Sequence, residues 1–212
     1  MGFNLIDMEK FKHASRYKYF FNDCRCNFSM TANIDITNFL STIKKNNLKF
    51  YPCYIYIVSK IVNKYDEYKM AVDAENKLGV WDELNPCYPN FHEDDETISM
   101  LWIDYKNKFD EFYNDFIKES EVYKNKRGYF VKGVAPKNIF QVSCIPWTKF
   151  TSMNFQLFYG GTYLFPIITC GKYFEQDAKI LLPVSIQLHH AVCDGYHMCR
   201  FFNELQKEAD EF

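Results

Sequence analysis

The sharpest alternation of apolar and polar residues lies near the end of the chain, at residues 179–188. Apolar side chains occupy every second position from Leu182, while Ser185 and Gln187 lie between them. Successive side chains of a strand point to opposite faces, so this pattern predicts a strand with one buried face. A similar alternation over residues 26–36 predicts a second strand.

Helical spacing follows the last predicted strand. Met198, Phe201 and Leu205 recur at intervals of three and four residues, which places them on one face of a helix. Asp194 stands where an N-cap is expected, because its carboxylate can accept hydrogen bonds from the first free amides. We therefore predict a helix that begins after Asp194 and runs through Glu208.

The rest of the chain alternates helical and strand patterns. Helices are predicted over residues 9–21, from a cap at Asp35 or Thr37 through 45, over 52–64 and around 109–117. Strands are predicted over residues 97–104, 139–145, 152–158 and 166–173, with a hairpin made of residues 69–72 and 78–81. Residues 85–94 contain two prolines and no period, which predicts a loop. The mixture predicts one layered α/β domain over residues 1–212.

Composition narrows the range of partners. The net charge of −2 argues against nucleic acid or an anionic membrane as a partner, and no run of 18 apolar residues is present. We therefore expect a soluble, cytoplasmic protein. Aromatic residues make up 19% of the chain, which favours a flat-walled pocket or a large buried interface. The eight cysteines are scattered, and we expect reduced, unpaired thiols.

Candidate chemistry concentrates where the last strand ends. His189, His190 and His197 are three of the five histidines, and imidazole exchanges protons near neutral pH. On another predicted strand, Ser143 points away from the apolar set. Its hydroxyl is suited either to stabilising an oxyanion or to bonding a neighbouring backbone group.

Two alternative sites use the same residues and are disfavoured. A zinc site built on His189, His190 and nearby cysteines lacks a CxxC pair, and adjacent strand residues point to opposite faces. A hydrolase triad of Ser143, His190 and Asp194 lacks the GxSxG turn around its serine. We expect no metal ligands in this chain.

The motif His-His-x-x-x-Asp-Gly at residues 189–195 is typical of acyltransferases that depend on coenzyme A. Together with further matching pieces, it makes the chain resemble the chloramphenicol acetyltransferase family from near residue 5 to the C-terminus. Those pieces are residues 34–37, 49–52, 85–88, 96–97 and 169–173, and Ser143 with Pro146-Trp147.

The resemblance implies a two-layer α/β sandwich, in which a large mixed β-sheet packs against α-helices. It also implies transfer of an acetyl group from acetyl-CoA, a co-substrate, to a primary hydroxyl of chloramphenicol, which confers antibiotic resistance. Members of this family are homotrimers whose active sites lie between subunits, so a homotrimer is expected here.

Residue roles carried over from the family follow the matched positions. His190 would be the general base, Ser143 would bind the oxyanion, and Thr169 would hold a water near the same centre. Asp194 would support the histidine structurally. The positions matching the coenzyme tunnel are Trp147, Lys49 and Tyr173. The positions matching the antibiotic pocket are Phe20, Cys26, Phe28, Phe130, Phe155 and Ile98.

Three departures from the family pattern bear on these expectations. The family has an arginine on its first helix that pairs with Asp194, whereas this chain has His13 there and Arg16 one turn later. In the pocket, Pro89 replaces a usual threonine and Ile98 a usual phenylalanine. The partner of Asp194 therefore stays open, and so do two alternatives to the main function: a different hydroxylated acceptor, or a non-catalytic homologue.

Overall fold

A computed structural model describes residues 2–157 and 161–212 of the chain. The strands are β1 (Phe3–Leu5), β2 (Asn27–Asp35), β3 (Met70–Val72), β4 (Leu78–Trp81), β5 (Asn85–His92), β6 (Thr97–Trp102), β7 (Ile139–Cys144), β8 (Ile167–Cys170), β9 (Phe174–Gln176) and β10 (Lys179–His189). The α-helices are α1 (Ala14–Lys18), α2 (Thr37–Lys45), α3 (Phe50–Lys64), α4 (Phe109–Tyr123) and α5 (Gly195–Glu211). A π-helical turn, Tyr19–Asp23, continues α1, and a 3-10 turn, Asp66–Tyr68, follows α3.

Two sheets are formed within the described residues. The larger has seven strands in the order β2-β10-β8-β7-β5-β6, with β9 paired to β10, and the smaller has the order β1-β4-β3. The pairs β5·β7 and β7·β8 are parallel, and the other pairs of the large sheet are antiparallel. The prediction of a mixed α/β fold is confirmed.

Strand β10 lies inside the large sheet because its alternation supplies one fully apolar face. Val184 and Ile186 are completely buried against the helix side, in the same core as residues of α2, α3, α4 and α5. On the opposite face, Ser185 and Gln187 are also buried, and they bond the Met153 carbonyl and the Phe155 amide. The strand is therefore buried on both faces, and the predicted single buried face is only part of the picture.

Local signals start α2, α3 and α5 at or close to the predicted residues. The Asp35 carboxylate accepts hydrogen bonds from both the amide and the hydroxyl of Thr37, at 3.0 and 2.6 Å, at the start of α2. Pro52 lies in the first turn of α3, where a missing N–H leaves no bond unmade. Asp194 is the N-cap of α5, and its carboxylate accepts from the amides of Tyr196 and His197.

The prediction of a loop over residues 85–94 is wrong, because residues 85–92 form β5. Pro89 lies past the last residue paired to β7, Cys87. Its partner on β6, Met100, donates its amide to Tyr129 O, away from β5. Residues of this pair therefore do not hydrogen-bond each other across β5 and β6. A proline, which has no N–H to donate, is tolerated at such a position.

Two further predictions, one of a strand and one of a helix start, are also wrong. Residues 152–157 form no strand: the Met153 carbonyl accepts from Ser185 Oγ and the Phe155 amide donates to Gln187 Oε1, so side chains replace a partner strand. Residue 158 lies outside the described residues. The first helix begins at Ala14 and not at residue 9, because Asp7 holds the preceding residues in a turn.

The strand predicted over residues 166–173 stops at Cys170. A Cβ on Gly171 would lie only 2.9 Å from both Phe150 and Pro183, and the Gly171 amide donates to Pro183 O. Because Gly171 has no side chain, the backbone can pass close to Phe150 and Pro183 at the end of β8. No helix in the described part of the chain is long and apolar enough to span a lipid bilayer.

Candidate active site

His190 lies in the turn directly after β10. Its amide donates to Cys26 O at 3.0 Å, which ties the turn to the start of β2. Its ring Nδ1 is 3.0 Å from Cys193 O. A carbonyl oxygen only accepts, so this contact requires the proton on Nδ1 and leaves Nε2 with its lone pair. The backbone of the turn thus selects the tautomer that can act as a base through Nε2.

Two aromatic rings hold the His190 side chain. Phe20, from the π-helical turn, stacks on the imidazole with centroids 4.0 Å apart and an interplanar angle of 12°. Phe28, from β2, lies 4.8 Å away on a tilted ring plane. The imidazole is half-buried between them, so it is oriented and remains open to a substrate.

Arg16 secures the histidine loop, which we define as residues 190–194. Its guanidinium donates to Asp194 Oδ2 and, at 3.1 Å, to Val192 O. Burial raises the pKa of Asp194, but the charge and hydrogen bonds of His197 and the charge of Arg16 outweigh it and lower that pKa. His13 forms ring contacts with Phe11 and His197 instead. Arg16 is therefore the partner of Asp194.

Ser143 and Thr169 lie side by side on the face opposite the helices. They are in register on the parallel strands β7 and β8, and their hydroxyl oxygens are 2.9 Å apart. Thr169 is buried, whereas Ser143 is partly exposed. Thr169 thus fixes the Ser143 hydroxyl, which stays accessible for a further hydrogen bond.

The structure does not bring His190 and Ser143 together within one chain. Register pairs Ser143 with Thr169, and Thr169 with Ser185 on β10. His190 lies five residues beyond Ser185, which is roughly 16 Å along the strand and about 10 Å across two strands from Ser143. A reacting group has to lie about 3 Å from both a base and an oxyanion donor. Within one chain, His190 and Ser143 therefore lie too far apart to act on the same reacting group.

The three residues expected to contact the coenzyme gather beyond Ser143 and Thr169. Trp147 is 62% exposed on the segment that follows β7, and the Lys172 amide donates to Thr148 O at 2.9 Å. Tyr173, on the segment after β8, lies 6.1 Å from the ring of Phe50. Lys49, the neighbour of Phe50, is exposed at the start of α3.

The residues expected in the antibiotic pocket divide into two groups. Cys26, Phe28 and Phe155 line a cavity of about 590 Å³ that also includes Gln187, and Phe20 stacks on the adjacent His190. Phe130 and Ile98 do not line this cavity. Phe130 lies 6.5 Å from the ring of Trp102, and Ile98 is opposite Phe91 in the β5–β6 pair.

Phe91 lies beside the candidate coenzyme residue Trp147, and the sequence patterns did not predict it. Its ring meets Trp147 edge to face at 4.8 Å, and it is 40% exposed. An aromatic residue beside an exposed tryptophan extends the surface that a planar ligand can contact. Treating residues 85–94 as a loop concealed it, because its position on β5 gives it the partner Ile98.

His189, by contrast, is a structural residue. Its Nδ1 accepts from the Ala191 amide at 3.1 Å, and its side chain is completely buried. Burial lowers the pKa of His189 to about 4, so the ring is neutral at physiological pH. The two adjacent histidines thus differ in exposure and in the nitrogen that carries the proton, which is Nε2 in His189 and Nδ1 in His190.

The hydrolase triad does not form, because Ser143 bonds Thr169 while Asp194 bonds Arg16 and His197. Across residues 2–157 and 161–212, no cluster of three or more histidine, cysteine or acidic side chains is arranged to hold a metal ion. All eight cysteines are free thiols.

Known proteins are similar to this chain in sequence and in fold. A family model described as "Chloramphenicol acetyltransferase" matches residues 1–206. Chloramphenicol acetyltransferases of Clostridium perfringens and Clostridium butyricum are 46% and 45% identical over 212 residues, covering 100% of this chain and 97% of each relative. One from Vibrio anguillarum is 42% identical over 206 residues, covering 97% of this chain and 94% of the relative.

Solved structures agree at the level of the fold. A chloramphenicol acetyltransferase structure superimposes with a TM-score of 0.85 at 18% identity, covering 98% of this chain and 100% of the other. A probable dihydrolipoamide acetyltransferase from Listeria monocytogenes gives a TM-score of 0.64 at 11% identity, covering 97% and 93%. The fold is therefore that of the acyltransferase catalytic cores.

Proposed function

This chain belongs to the chloramphenicol acetyltransferase family, and from that premise we propose that it transfers the acetyl group of acetyl-CoA to a primary hydroxyl of chloramphenicol. The tautomer of His190 is the observation that carries the proposal. Its Nδ1–H is committed to Cys193 O, so Nε2 is free to take a proton from an alcohol. The names of the relatives favour chloramphenicol over another acceptor.

In the proposed reaction, His190 Nε2 accepts the hydroxyl proton while the alcohol oxygen attacks the thioester carbonyl carbon. The carbonyl oxygen becomes an oxyanion, which receives a hydrogen bond from Ser143. The tetrahedral species then collapses and the carbon–sulfur bond breaks. The coenzyme thiolate takes the proton from Nε2, which returns the histidine to its starting state without an acyl-enzyme.

Thr169 supports this step by orienting Ser143. Their hydroxyls are 2.9 Å apart, and Thr169 is buried, so its side chain is held in place. A donor that is already oriented needs no rearrangement when charge develops on the substrate. We assign to Thr169, in addition, the water expected near the oxyanion.

Coenzyme binding is proposed for the surface that holds Trp147, Tyr173 and Lys49. Two exposed aromatic rings suit the flat adenine, and the lysine ammonium suits its phosphates. This surface lies directly beyond Ser143 and Thr169, where the thioester has to arrive.

We further propose that the working enzyme is a homotrimer with its active sites between subunits. The separation of His190 from Ser143 supports this arrangement, because a neighbouring copy has to supply the missing half. The antibiotic would contact Phe20, Cys26, Phe28 and Phe155 of one copy, while Phe130 and Ile98 would contact it from the next.

Release of free coenzyme A thiol from acetyl-CoA tests the function. We expect one thiol per acetylated molecule with chloramphenicol, and none with a chloramphenicol derivative whose primary hydroxyl is already acetylated. A folded, assembled sample that released no thiol with the unmodified drug would overturn the proposal.

A further inference from the structure

The 3-10 turn Asp66–Tyr68 packs beneath the histidine loop. Glu67, in this turn, makes three contacts there. Its Oε1 is 3.4 Å from His197 Nε2, its Oε2 is 2.9 Å from Arg200 Nη2, and its backbone carbonyl is 3.7 Å from Cys193 Sγ. One residue thus touches both the loop and the first turns of α5.

The charges around Glu67 are complementary. A carboxylate only accepts hydrogen bonds, and both His197 Nε2 and Arg200 Nη2 are placed to donate. Hydrogen bonds from His197 and Arg200 hold the pKa of Glu67 well below its usual range, against the opposing effect of burial. The turn therefore presents a permanent anion to the start of α5.

His197 links this anion to the N-cap of the helix. Its Nδ1 accepts from the Asp194 amide at 3.1 Å and lies 2.7 Å from Asp194 Oδ1, so its ring lies between Asp194 and Glu67. Cys193, which Glu67 also contacts, supplies the carbonyl that bonds His190 Nδ1. The Glu67 backbone makes this contact with the Cys193 thiol, so the Glu67 carboxylate reaches the Cys193 carbonyl only through His197 and the cap at Asp194.

We propose that Glu67 is a positioning residue for the base: by holding His197, which contacts Asp194 at the end of the histidine loop, its carboxylate fixes the neighbouring Cys193 carbonyl that keeps the proton of His190 on Nδ1. The inference deepens the proposed acetyl transfer and rests on it. Glu67 itself contacts no substrate.

The substitution Glu67→Gln tests the inference with little change of shape. A glutamine accepts through one oxygen only, and it turns an NH2 group toward one of the two donors. Glu204→Gln is the matched control. Glu204 accepts from Lys64 Nζ at 2.6 Å and Tyr65 Oη at 2.9 Å, and its side chain is 20% exposed, against 21% for Glu67.

We expect Glu67→Gln to lower kcat about ten-fold, a fraction of what a general base contributes. The KM values for acetyl-CoA and chloramphenicol should stay within about two-fold, because neither binding surface changes. Nitrogen NMR of the labelled His190 ring should show less of the Nδ1–H tautomer. Glu204→Gln should leave kcat and the tautomer unchanged.

Equal losses of kcat in Glu67→Gln and Glu204→Gln, or an unchanged His190 tautomer in Glu67→Gln, would overturn the inference. If Glu67→Gln does not fold, Glu67→Asp replaces it, since the shorter side chain withdraws the charge from His197 and Arg200. Its expected result is the same, and unchanged kcat and tautomer would again overturn the inference. A wild-type protein without turnover would defeat the proposed function alone, because the NMR comparison requires no reaction.

Discussion

Arg16 donates to the carboxylate of Asp194, and with its second terminal nitrogen it also donates to Val192 O at 3.1 Å. Its side chain is 17% exposed, and that of Asp194 is 34% exposed. The arginine therefore connects α1 to both the N-cap of α5 and the histidine loop. An arginine one turn later than the family position performs the contact that the resemblance assigned to the first helix.

We expect Arg16→Gln to lower both stability and kcat. Asp194 loses its charged partner, which costs about 1–2 kcal/mol because the pair is partly screened by solvent. The histidine loop loses its bond at Val192 as well. His13→Gln is the control and should stay within about 0.5 kcal/mol of wild type. Denaturant unfolding and steady-state kinetics check both variants, and a larger effect at His13 would contradict this assignment.

Replacement of the proposed base should remove catalysis and preserve the fold. We expect His190→Ala to lower kcat about 10²–10⁴-fold, the usual contribution of a general base. Its ring is half-buried between Phe20 and Phe28, so the melting temperature should change little. The measurements are thiol release and thermal unfolding, and a folded variant that kept most of its kcat would refute the role of His190.

Ser143→Ala should lower kcat by about 10²-fold without a matching change in KM, because a donor to the oxyanion acts only in the transition state. Thr169→Val should give a smaller loss, since Ser143 remains but is no longer oriented. Ser185→Ala is the matched control, because Ser185 lies on the same face and bonds Met153 O. A loss of kcat in Ser185→Ala as large as in Ser143→Ala would contradict a specific role for Ser143.

Mixing two inactive variants tests the division of the site between copies. Co-assembled His190→Ala and Ser143→Ala chains should recover activity, because some interfaces then join an intact His190 to an intact Ser143. No chain in the mixture carries both residues. Absence of recovery in a confirmed mixed assembly would show that each site lies within one chain.

The buried His189 should make stability depend on pH. Its pKa is about 4 in the folded chain, against 6.5 for an ordinary histidine. Between these values the unfolded chain binds a proton that the folded chain does not, so stability is lost as pH falls. The loss approaches about 1.4 kcal/mol per pH unit.

His189→Asn removes this titration and keeps an acceptor for the Ala191 amide. Its unfolding free energy should therefore fall less steeply than that of wild type as pH is lowered from about 6.5 toward 4. Denaturant titrations at several pH values provide the comparison. Parallel curves for the two proteins would contradict the role of His189.

Local rules predicted the elements on which the site is built. The alternation along β10 and the cap at Asp194 are short-range signals, so the position of His190 at a strand-to-helix turn was readable from sequence. Pro89 misled the same rules, because its tolerance in β5 depends on where the neighbouring strand ends. The end of the neighbouring strand is set by the tertiary structure and cannot be predicted from local sequence.

The contacts that support the site could not be predicted from the sequence either, because they join residues that only the tertiary structure brings together. Arg16 and Asp194 are separated by 178 positions, and Glu67 and His197 meet only because the 3-10 turn folds under α5. The resemblance supplied the residues of the site, whereas the separation of His190 from Ser143 follows from strand register. The alternation of apolar and polar residues within one strand does not show which residues of a distant strand will lie opposite it.

The distance between His190 and Ser143 also bears on how a cell would gain protection. In the proposed mechanism His190 and Ser143 act on one molecule of drug, and a newly synthesised subunit on its own places them too far apart to do so. At low expression, doubling the number of subunits in the cell should therefore more than double the rate at which the drug is acetylated. The two quantities become proportional once nearly all subunits are assembled. Weak expression would yield disproportionately little resistance.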